Sequence, residues 1–281
     1  MNLPDRWPAP AKLNLFLHVV GRRSDGYHLL QTVFQLLDFG DELRFGVTSD
    51  GVVGRAAPVP GVPEETDLTL RAARLLKERC GVRRGVRIGI EKRLPAGGGL
   101  GGGSSDCATT LIALNALWGV GLRRAELLRL GLELGADVPV FIGGRSAWAE
   151  GVGEILTPLE LEDAWYLVVA PPVQVSTASV FAASELTPHR PTITIRAFRT
   201  GQGRNDLEPI VRRRYPEVDV ALRWLAAHGE ARMTGSGGCV YVRVASAAAG
   251  RRILEEAPPG YGGFVARGVN RHPLYSLTRD S

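Results

Sequence analysis

The chain contains, at residues 94–105, the sequence LPAGGGLGGGSS, which lies between a predicted strand at 85–91 and a predicted helix at 104–118. Glycine lets backbone N–H groups approach a ligand without side-chain clashes, and a helix N-terminus adds the positive end of its dipole. We therefore expect an anion such as a phosphate group in this loop. A flexible linker is the alternative, although linkers do not usually lead directly into an apolar, capped helix.

The glycine loop differs from three familiar phosphate-binding motifs. It lacks the Gly-Lys-Ser/Thr ending of a Walker A site. Its glycines at 97, 99 and 102 satisfy G-x-G-x-x-G, but the acidic residue expected about 20 positions on is missing, which argues against a dinucleotide site. The Asp-Phe-Gly triplet at 38–40 matches protein kinases, yet it precedes the loop and no His-Arg-Asp catalytic loop exists.

In the first half of the chain, most predicted strands come early and the predicted helices follow. Residues 11–20 alternate apolar and polar side chains, which predicts a half-buried strand with Lys12 and Asn14 projecting together. Asp38 and Asp41 are expected to shape a turn between two strands. The further predicted elements are strands at 29–37, 41–47 and 85–91, a loop at 50–65, and helices at 67–80, 104–118 and 123–134. The first of these helices is expected to open at Thr66 or Asp67 and the second at Ser104 or Ser105.

The second half resembles a ferredoxin-like sandwich with an extra helix. Its predicted strands lie at 165–170, 231–234, 239–244 and 263–269, and its predicted helices at 176–184, 206–214, 217–228 and 246–257. Because strands cluster and helices follow, the whole chain is expected to be α+β. We place the boundary between two domains near residue 160.

Bulk composition indicates a globular protein that folds without covalent cross-links. The 281 residues are 44% hydrophobic and 22% charged, and the formal net charge is +5, which mildly favours anionic ligands. A basic stripe with interleaved aromatics is missing, so a nucleic-acid partner is not expected. Three separate cysteines suggest neither disulfides nor zinc, and no signal or membrane segment is recognised, so the protein is expected in the cytoplasm.

Several blocks of sequence are similar to those of the GHMP kinase superfamily of small-molecule kinases. The blocks are PAKLNL at 10–15, GRRSDGYH at 21–28, the glycine loop, GADVPVF at 135–141, NDL at 205–207 and TGSGG at 234–238. The resemblance implies an ATP-binding N-terminal domain of the ribosomal protein S5 domain 2 type over residues 1–160. A ferredoxin-like C-terminal domain over 161–281 would follow, with the active site in the cleft between them.

The resemblance also implies the reaction. ATP, with Mg²⁺, would phosphorylate a hydroxyl of a cytidine diphosphate-linked methylerythritol, a substrate of non-mevalonate isoprenoid synthesis. Rival acceptors within the superfamily are homoserine, mevalonate and galactose, and a non-catalytic RNA-binding module is a rival from a different class. The sequence predicts no particular metal-binding residue, because it contains no dense cluster of carboxylates. The sequence does not decide the oligomeric state.

The resemblance assigns the chemical step to Asp137 and Lys12. Asp137 would take the proton of the acceptor hydroxyl. Lys12 would lower the proton affinity of Asp137, orient its carboxylate, or stabilise charge on the transferring phosphoryl group. Asp137 alone is as readily interpreted as a helix N-cap ahead of Pro139, and Lys12 as a solvated strand end. The ATP-binding residues would be Pro95, Ala96, Gly97, Gly98, Gly99, Leu100, Gly101, Gly102, Gly103, Ser104 and Ser105.

Substrate recognition is assigned to six residues. Tyr27 and His28 are expected to stack on cytosine and bond its edge. By resemblance Asn14 positions the substrate, and the remaining lining comes from Phe34, Thr177 and Phe181. For the two phenylalanines a plain core role is an equal alternative. Ala178 stands where several relatives have proline, and the turn at 235–238 is either a plain hairpin or a substrate contact.

Overall fold

The computed structural model describes residues 3–59, 61–186 and 190–278. Within these residues the strands are β1 Trp7–Arg22, β2 His28–Thr48, β3 Val53–Arg55, β4 Gly85–Glu91, β5 Ala147–Glu150, β6 Ile155–Pro158, β7 Trp165–Ala170, β8 Arg232–Met233, β9 Val240–Val244 and β10 Gly262–Val269. The helices are α1 Leu68–Arg79, α2 Gly102–Leu117, α3 Arg124–Leu134, α4 Val138–Gly143, α5 Thr177–Phe181, α6 Ile195–Arg199, α7 Glu208–Arg214, α8 Pro216–Leu225 and α9 Ala247–Glu255, and a 3₁₀ turn spans Tyr275–Leu277.

Strand β2 is the centre of the sheet. Strand β1 lies along one of its edges, while β5, β10 and β4 pair with successive parts of the other edge. The sheet continues in the order β3-β4-β2-β10-β7-β9-β8, and all pairings except β3 with β4 are antiparallel. The mixed α+β architecture predicted from the sequence is therefore confirmed.

The turn predicted at Asp38 and Asp41 is wrong, because β2 continues through both residues. Gly40 makes this possible: a side chain there would place its Cβ 2.1 Å from the Ala9 carbonyl oxygen, so only glycine lets β1 pass so closely. Asp38 instead accepts a hydrogen bond from the Arg267 N–H at 2.7 Å. The Asp38 carboxylate therefore accepts a hydrogen bond from the backbone of a neighbouring strand and does not form a turn.

Helix ends follow the sequence in one case and depart from it in another. Asp67 caps α1, since its side chain accepts from the Thr69 N–H at 2.9 Å. Helix α2, predicted to open at Ser104 or Ser105, begins instead at Gly102, with Gly101 in the left-handed conformation as its N-cap. The hydroxyl cap was the wrong expectation because glycine reaches that backbone conformation and the serines lie inside the helix.

The two largest apolar clusters lie against the sheet. In the first, side chains of α1, α2 and α4 pack on β2 and β4, with Leu43, Leu111 and Phe141 fully buried. In the second, α7 and α8 pack near β7 and β9 around Leu167 and Val211. Several short elements were not predicted, because a helix of fewer than two turns or a strand of a few residues gives little periodicity. They are β3, α4, β5, β6 and α6.

The second half of the chain is bonded to the first at several points. Gly268 and Val269 of β10 pair with Leu37 and Leu36 of β2, which joins the two parts of the sheet. The Asp206 carboxylate accepts from the Val19 N–H at 3.0 Å. The domain boundary near residue 160 stays a prediction. Among the described helices, none has the length and apolarity needed to cross a bilayer.

Candidate active site

A cavity of about 860 Å³ lies where β1, β2, the glycine loop and the turn after β8 meet. Its lining includes all but one of the sequence-predicted site residues, namely Lys12, Asn14, Tyr27, His28, Phe34, the loop from Pro95 to Ser104, Asp137, Thr177 and Phe181. Ser105 is the exception: it is buried, and its N–H donates to the Gly101 carbonyl at 2.8 Å. Segments separated by more than 100 residues thus converge on one space.

The glycine loop forms a wall of backbone. Gly97, Gly99 and Gly101 have φ values of 66°, 72° and 74°, which other residues adopt only with strain. At Gly99 a Cβ would also lie 2.3 Å from the Thr234 carbonyl oxygen. Because α2 begins at Gly102, the first N–H groups of that helix have no partner within it, and residues 101–104 line the cavity. This wall suits a phosphate chain.

A buried aspartate fixes the entry to the loop. Asp41 accepts from the N–H groups of Arg93 and Leu94 at 2.6 and 2.8 Å, and from the Lys92 ammonium. Lys92 also donates to Asp106 of α2 at 2.8 Å, so it links the segment before the loop to the helix after it. Burial opposes the charge on Lys92, but Asp106 and Asp41 beside it raise the pKa of that ammonium overall.

The buried position of Asp106 disfavours the charged form of its carboxyl group. Burial raises the pKa of its carboxyl to about 7, although the nearby Lys92 charge acts in the opposite direction. Its Oδ1 has no hydrogen-bond partner among the described residues. The supporting roles of Asp41, Lys92 and Asp106 were not predicted from the sequence. The available signal was weak: single charged residues flanking a glycine loop usually lie in solvent.

Lys12 and Asp137 meet in the wall of the cavity. The Lys12 Nζ lies 3.3 Å from Asp137 Oδ2, and the lysine side chain is 3% exposed whereas that of Asp137 is 37% exposed. Asp137 occupies the N-cap position of α4, but its side chain makes no capping hydrogen bond. The carboxylate is therefore free to face the cavity, and the capping alternative is wrong.

The lysine ammonium has two hydrogen-bond acceptors and one ion-pair partner. It donates to Asn14 Oδ1 at 2.5 Å and to the Gly99 carbonyl at 3.0 Å, and the Asp137 carboxylate is the third partner. Since an ammonium has three N–H groups and no acceptor, this set fixes its orientation. The same contacts tie the glycine loop to the strand that carries Lys12. The alternative of a solvated strand end is wrong, because Lys12 is buried.

Aromatic side chains form a further part of the cavity wall, the aromatic end. The His28 and Phe181 rings lie 5.4 Å apart at 35°, and Tyr27 is 63% exposed at the rim. Burial, with a smaller contribution from Arg22, lowers the pKa of His28, so its imidazole is neutral at pH 7. Phe34 is buried in the first core and also lines the cavity, which reconciles its two interpretations.

The turn at 235–238 belongs both to a hairpin and to the cavity wall. It joins β8 to β9, and Ser236 Oγ lies 2.6 Å from Thr177 Oγ1. Asn205 holds the turn by donating to the Gly235 carbonyl at 2.8 Å. The turn is therefore a hairpin that lines the cavity, and its contact with substrate stays a prediction.

Among the described residues, no group of three or more His, Cys, Asp or Glu side chains is placed to hold a metal ion. The carboxylates lining the cavity are Asp25 and Asp137. Asp25 pairs with Arg23 at 2.8 Å, and Asp137 is the cavity-lining carboxylate that pairs with Lys12. One carboxylate fits an ion that arrives on a nucleotide's phosphates and keeps several waters.

Comparisons with known proteins agree with this geometry. The model of the GHMP kinases N terminal domain matches residues 67–145, and that of the GHMP kinases C terminal domain matches 193–261. The 4-diphosphocytidyl-2-C-methyl-D-erythritol kinase of Nitrosospira multiformis is 58% identical over 273 residues, covering 96% of this chain and 93% of that protein. The enzyme of the same name from Aromatoleum aromaticum is 59% identical over 267 residues, covering 95% and 94%.

Solved structures share the fold. A crystal structure of 4-(cytidine 5'-diphospho)-2C-methyl-D-erythritol kinase superposes with a TM-score of 0.82 at 36% identity, covering 94% of this chain and all of that one. The Methanococcus jannaschii mevalonate kinase matches with a TM-score of 0.68 at 16% identity, covering 94% of this chain and 98% of that one, which shows a common fold alone. With both domain models and near-complete relatives in agreement, the chain belongs to the GHMP kinase family.

Proposed function

We propose that this GHMP kinase transfers the γ-phosphoryl group of ATP to the 2-hydroxyl of 4-diphosphocytidyl-2-C-methyl-D-erythritol, a step of non-mevalonate isoprenoid synthesis. The names of relatives at 55–59% identity support this acceptor over homoserine, mevalonate or galactose. The observation that carries the proposal is the Lys12–Asp137 pair, which lines the same cavity as the glycine loop and a group of aromatic rings.

The triphosphate binds along the glycine loop. Backbone N–H groups between residues 97 and 104 and the start of α2 offer donors and a positive dipole end to its oxygens. Phosphoryl transfer needs charge neutralisation and alignment more than covalent chemistry, so this rigid wall supplies much of what is required. The γ-phosphorus then points toward Asp137, and transfer is direct, without a phosphoenzyme.

Asp137 is the general base. Its carboxylate is partly exposed to the cavity and free of capping bonds, so it is able to accept the proton of the acceptor hydroxyl as that oxygen attacks phosphorus. Lys12 holds the carboxylate in place and presents a positive charge where negative charge develops. Asn14, on the same face of β1, positions the acceptor alcohol.

The cytidine end of the substrate binds at the aromatic end of the cavity. Tyr27 and Phe181 supply ring faces for stacking, and the neutral His28 imidazole bonds the base edge. Phe34 and Thr177 complete the wall, and the Thr177–Ser236 contact holds it against the turn after β8. Homoserine and mevalonate lack a base that would use these rings.

Magnesium accompanies ATP in this proposal. Asp137 and the Ser104 hydroxyl are the oxygen-bearing side chains beside the glycine loop that fit such an ion. When bound, Mg²⁺ would neutralise charge on the phosphate oxygens. The cytoplasmic location and the absence of a nucleic-acid partner also remain predictions.

An assay of acceptor specificity tests the proposal. Purified protein is incubated with γ-labelled ATP and, in parallel, with the cytidine substrate, mevalonate, homoserine or galactose, and the product is located by phosphorus NMR. We expect label only on the 2-hydroxyl of the cytidine substrate. Equal transfer to another acceptor would contradict the assignment, and RNA binding without any transfer would favour the binding-module alternative.

A further inference from the structure

We propose that Thr32 is a positioning residue for phosphoryl transfer. Its hydroxyl orients the Asn14 amide so that Oδ1, rather than Nδ2, faces the Lys12 ammonium. The kinetic part of this inference rests on the proposed function. Thr32 lies on β2, beside β1, which carries Lys12 and Asn14.

The three side chains lie in the cavity wall and are almost fully buried. Thr32, Asn14 and Lys12 are 1%, 3% and 2% exposed. In such a place each hydrogen bond has to come from protein, because an unsatisfied buried donor is unfavourable. The direction in which each proton points is therefore determined by the neighbouring groups.

The Thr32 hydroxyl has one proton, and the Phe16 carbonyl accepts it. With that proton committed, Thr32 Oγ1 can only accept from its second neighbour. Asn14 Nδ2 lies 2.9 Å away and donates to it. The Asn14 amide therefore turns its nitrogen toward Thr32 and its oxygen toward Lys12.

The amide oxygen is what Lys12 requires. Lys12 Nζ lies 2.5 Å from Asn14 Oδ1, and its two remaining donors face Gly99 and Asp137. A reversed amide would bring N–H donors against the ammonium, and the lysine would move away from the carboxylate. Thr32 thus acts on the Lys12–Asp137 pair through Asn14.

Thr32→Val is the first test, because it keeps the branched shape and removes the hydroxyl. We expect kcat to fall about 10-fold or more, the scale set by one unsatisfied buried donor, while KM for ATP changes less than about twofold. Thr32→Ser should recover most of kcat. Thr109→Val is the matched control: it removes another buried threonine hydroxyl, one that donates to the Pro8 carbonyl at 3.0 Å, and should leave kcat unchanged.

A double-mutant cycle asks whether the effect passes through Asn14. In an Asn14→Ala background, Thr32→Val should have little further effect on kcat, because the amide that it orients is gone. An undiminished effect in that background would overturn the inference. So would a Thr32→Ser variant as slow as Thr32→Val.

A measurement that needs no substrate separates this inference from the proposed function. The ¹⁵N-labelled ammonium of Lys12, identified by its loss in Lys12→Met, should exchange its protons slowly in the wild type and faster in Thr32→Val. Unchanged exchange would overturn the role of Thr32. If the wild type transferred no phosphate while exchange still accelerated, the proposed function would fail and the orienting role would stand.

Discussion

The phosphate end and the base end of the cavity are built from different parts of the polypeptide. At the phosphate end a contiguous run of backbone, with three glycines at positive φ, forms the wall. At the base end the wall consists of side chains from distant segments, such as His28 and Phe181, whose rings lie 5.4 Å apart. A backbone site has no tolerance for added atoms, whereas a stacking site depends on surface area and loses affinity gradually.

The largest expected effect lies where the two ends meet. Asp137→Asn keeps the shape and removes the proton acceptor, so kcat should fall about 10²–10⁴-fold, with both KM values changing little. Steady-state kinetics with each substrate varied would measure this. Asp163→Asn, at an exposed aspartate paired with Arg267, is the control. A loss of less than about tenfold would remove Asp137 from the role of general base.

The second effect tests the intolerance of the phosphate end. Gly99→Ala places a methyl group 2.3 Å from the Thr234 carbonyl oxygen, so the loop has to move and ATP affinity should fall at least about tenfold. Gly119→Ala is the matched control, since Gly119 has a φ of 68° but no atom within 4 Å of a Cβ.

Binding of a non-hydrolysable ATP analogue by calorimetry distinguishes these two glycine variants. Gly119→Ala should lower the free energy of unfolding by about 1–2 kcal/mol without a change in ATP affinity. Equal losses of affinity in both variants would mean that backbone strain, rather than the clash at residue 99, is responsible.

The third effect should be smaller and confined to the base end. Tyr27→Ala removes one stacking face, and the KM for the cytidine substrate should rise about 5- to 150-fold, the equivalent of about 1–3 kcal/mol per stacked base. Tyr27→Phe keeps the face and should stay near the wild-type value. KM for ATP should not change in either variant. A parallel rise in both KM values would erase the distinction between the two ends.

The smallest expected effect concerns pH and the support beneath the phosphate end. The pKa of Asp106 is raised from 3.8 to about 7, so between about pH 4 and 7 the folded chain keeps a proton that the unfolded chain releases. The stability that this proton contributes therefore falls as pH rises through that window. Asp106→Asn cannot titrate, so its Tm should decline less than that of the wild type over the same range, by a few degrees. The same change of Tm with pH in both proteins would contradict the raised pKa of Asp106.

Local patterns in the sequence predicted the elements that are long and regular. Helix α1 with its Asp67 cap and the strand at 85–91 lie where periodicity and capping chemistry indicate. Strand β2 was divided in two because two aspartates and a glycine resemble a turn, and their real partners lie on other segments. Tertiary hydrogen bonds of this kind leave no local signal.

The residues of the candidate site also differ in how well the sequence predicts them. The glycine loop is one contiguous stretch, so its anion-binding character was readable from residues alone. The contact of Lys12 with Asp137 joins residues 125 positions apart, and it was reached through resemblance to a family. The supporting roles of Thr32 and Asp41 were not predicted, because a single polar residue on a strand gives no clue to its partner. Supporting residues are therefore harder to predict than the groups they hold.

A structure of the protein with a non-hydrolysable ATP analogue and the cytidine substrate bound together would test the central claim most directly. The account predicts the triphosphate against the amides of residues 97–104, the cytosine beside His28 and Phe181, and the 2-hydroxyl oxygen within about 3.2 Å of the Asp137 carboxylate. A triphosphate bound away from that loop, or a 2-hydroxyl out of reach of Asp137, would contradict it.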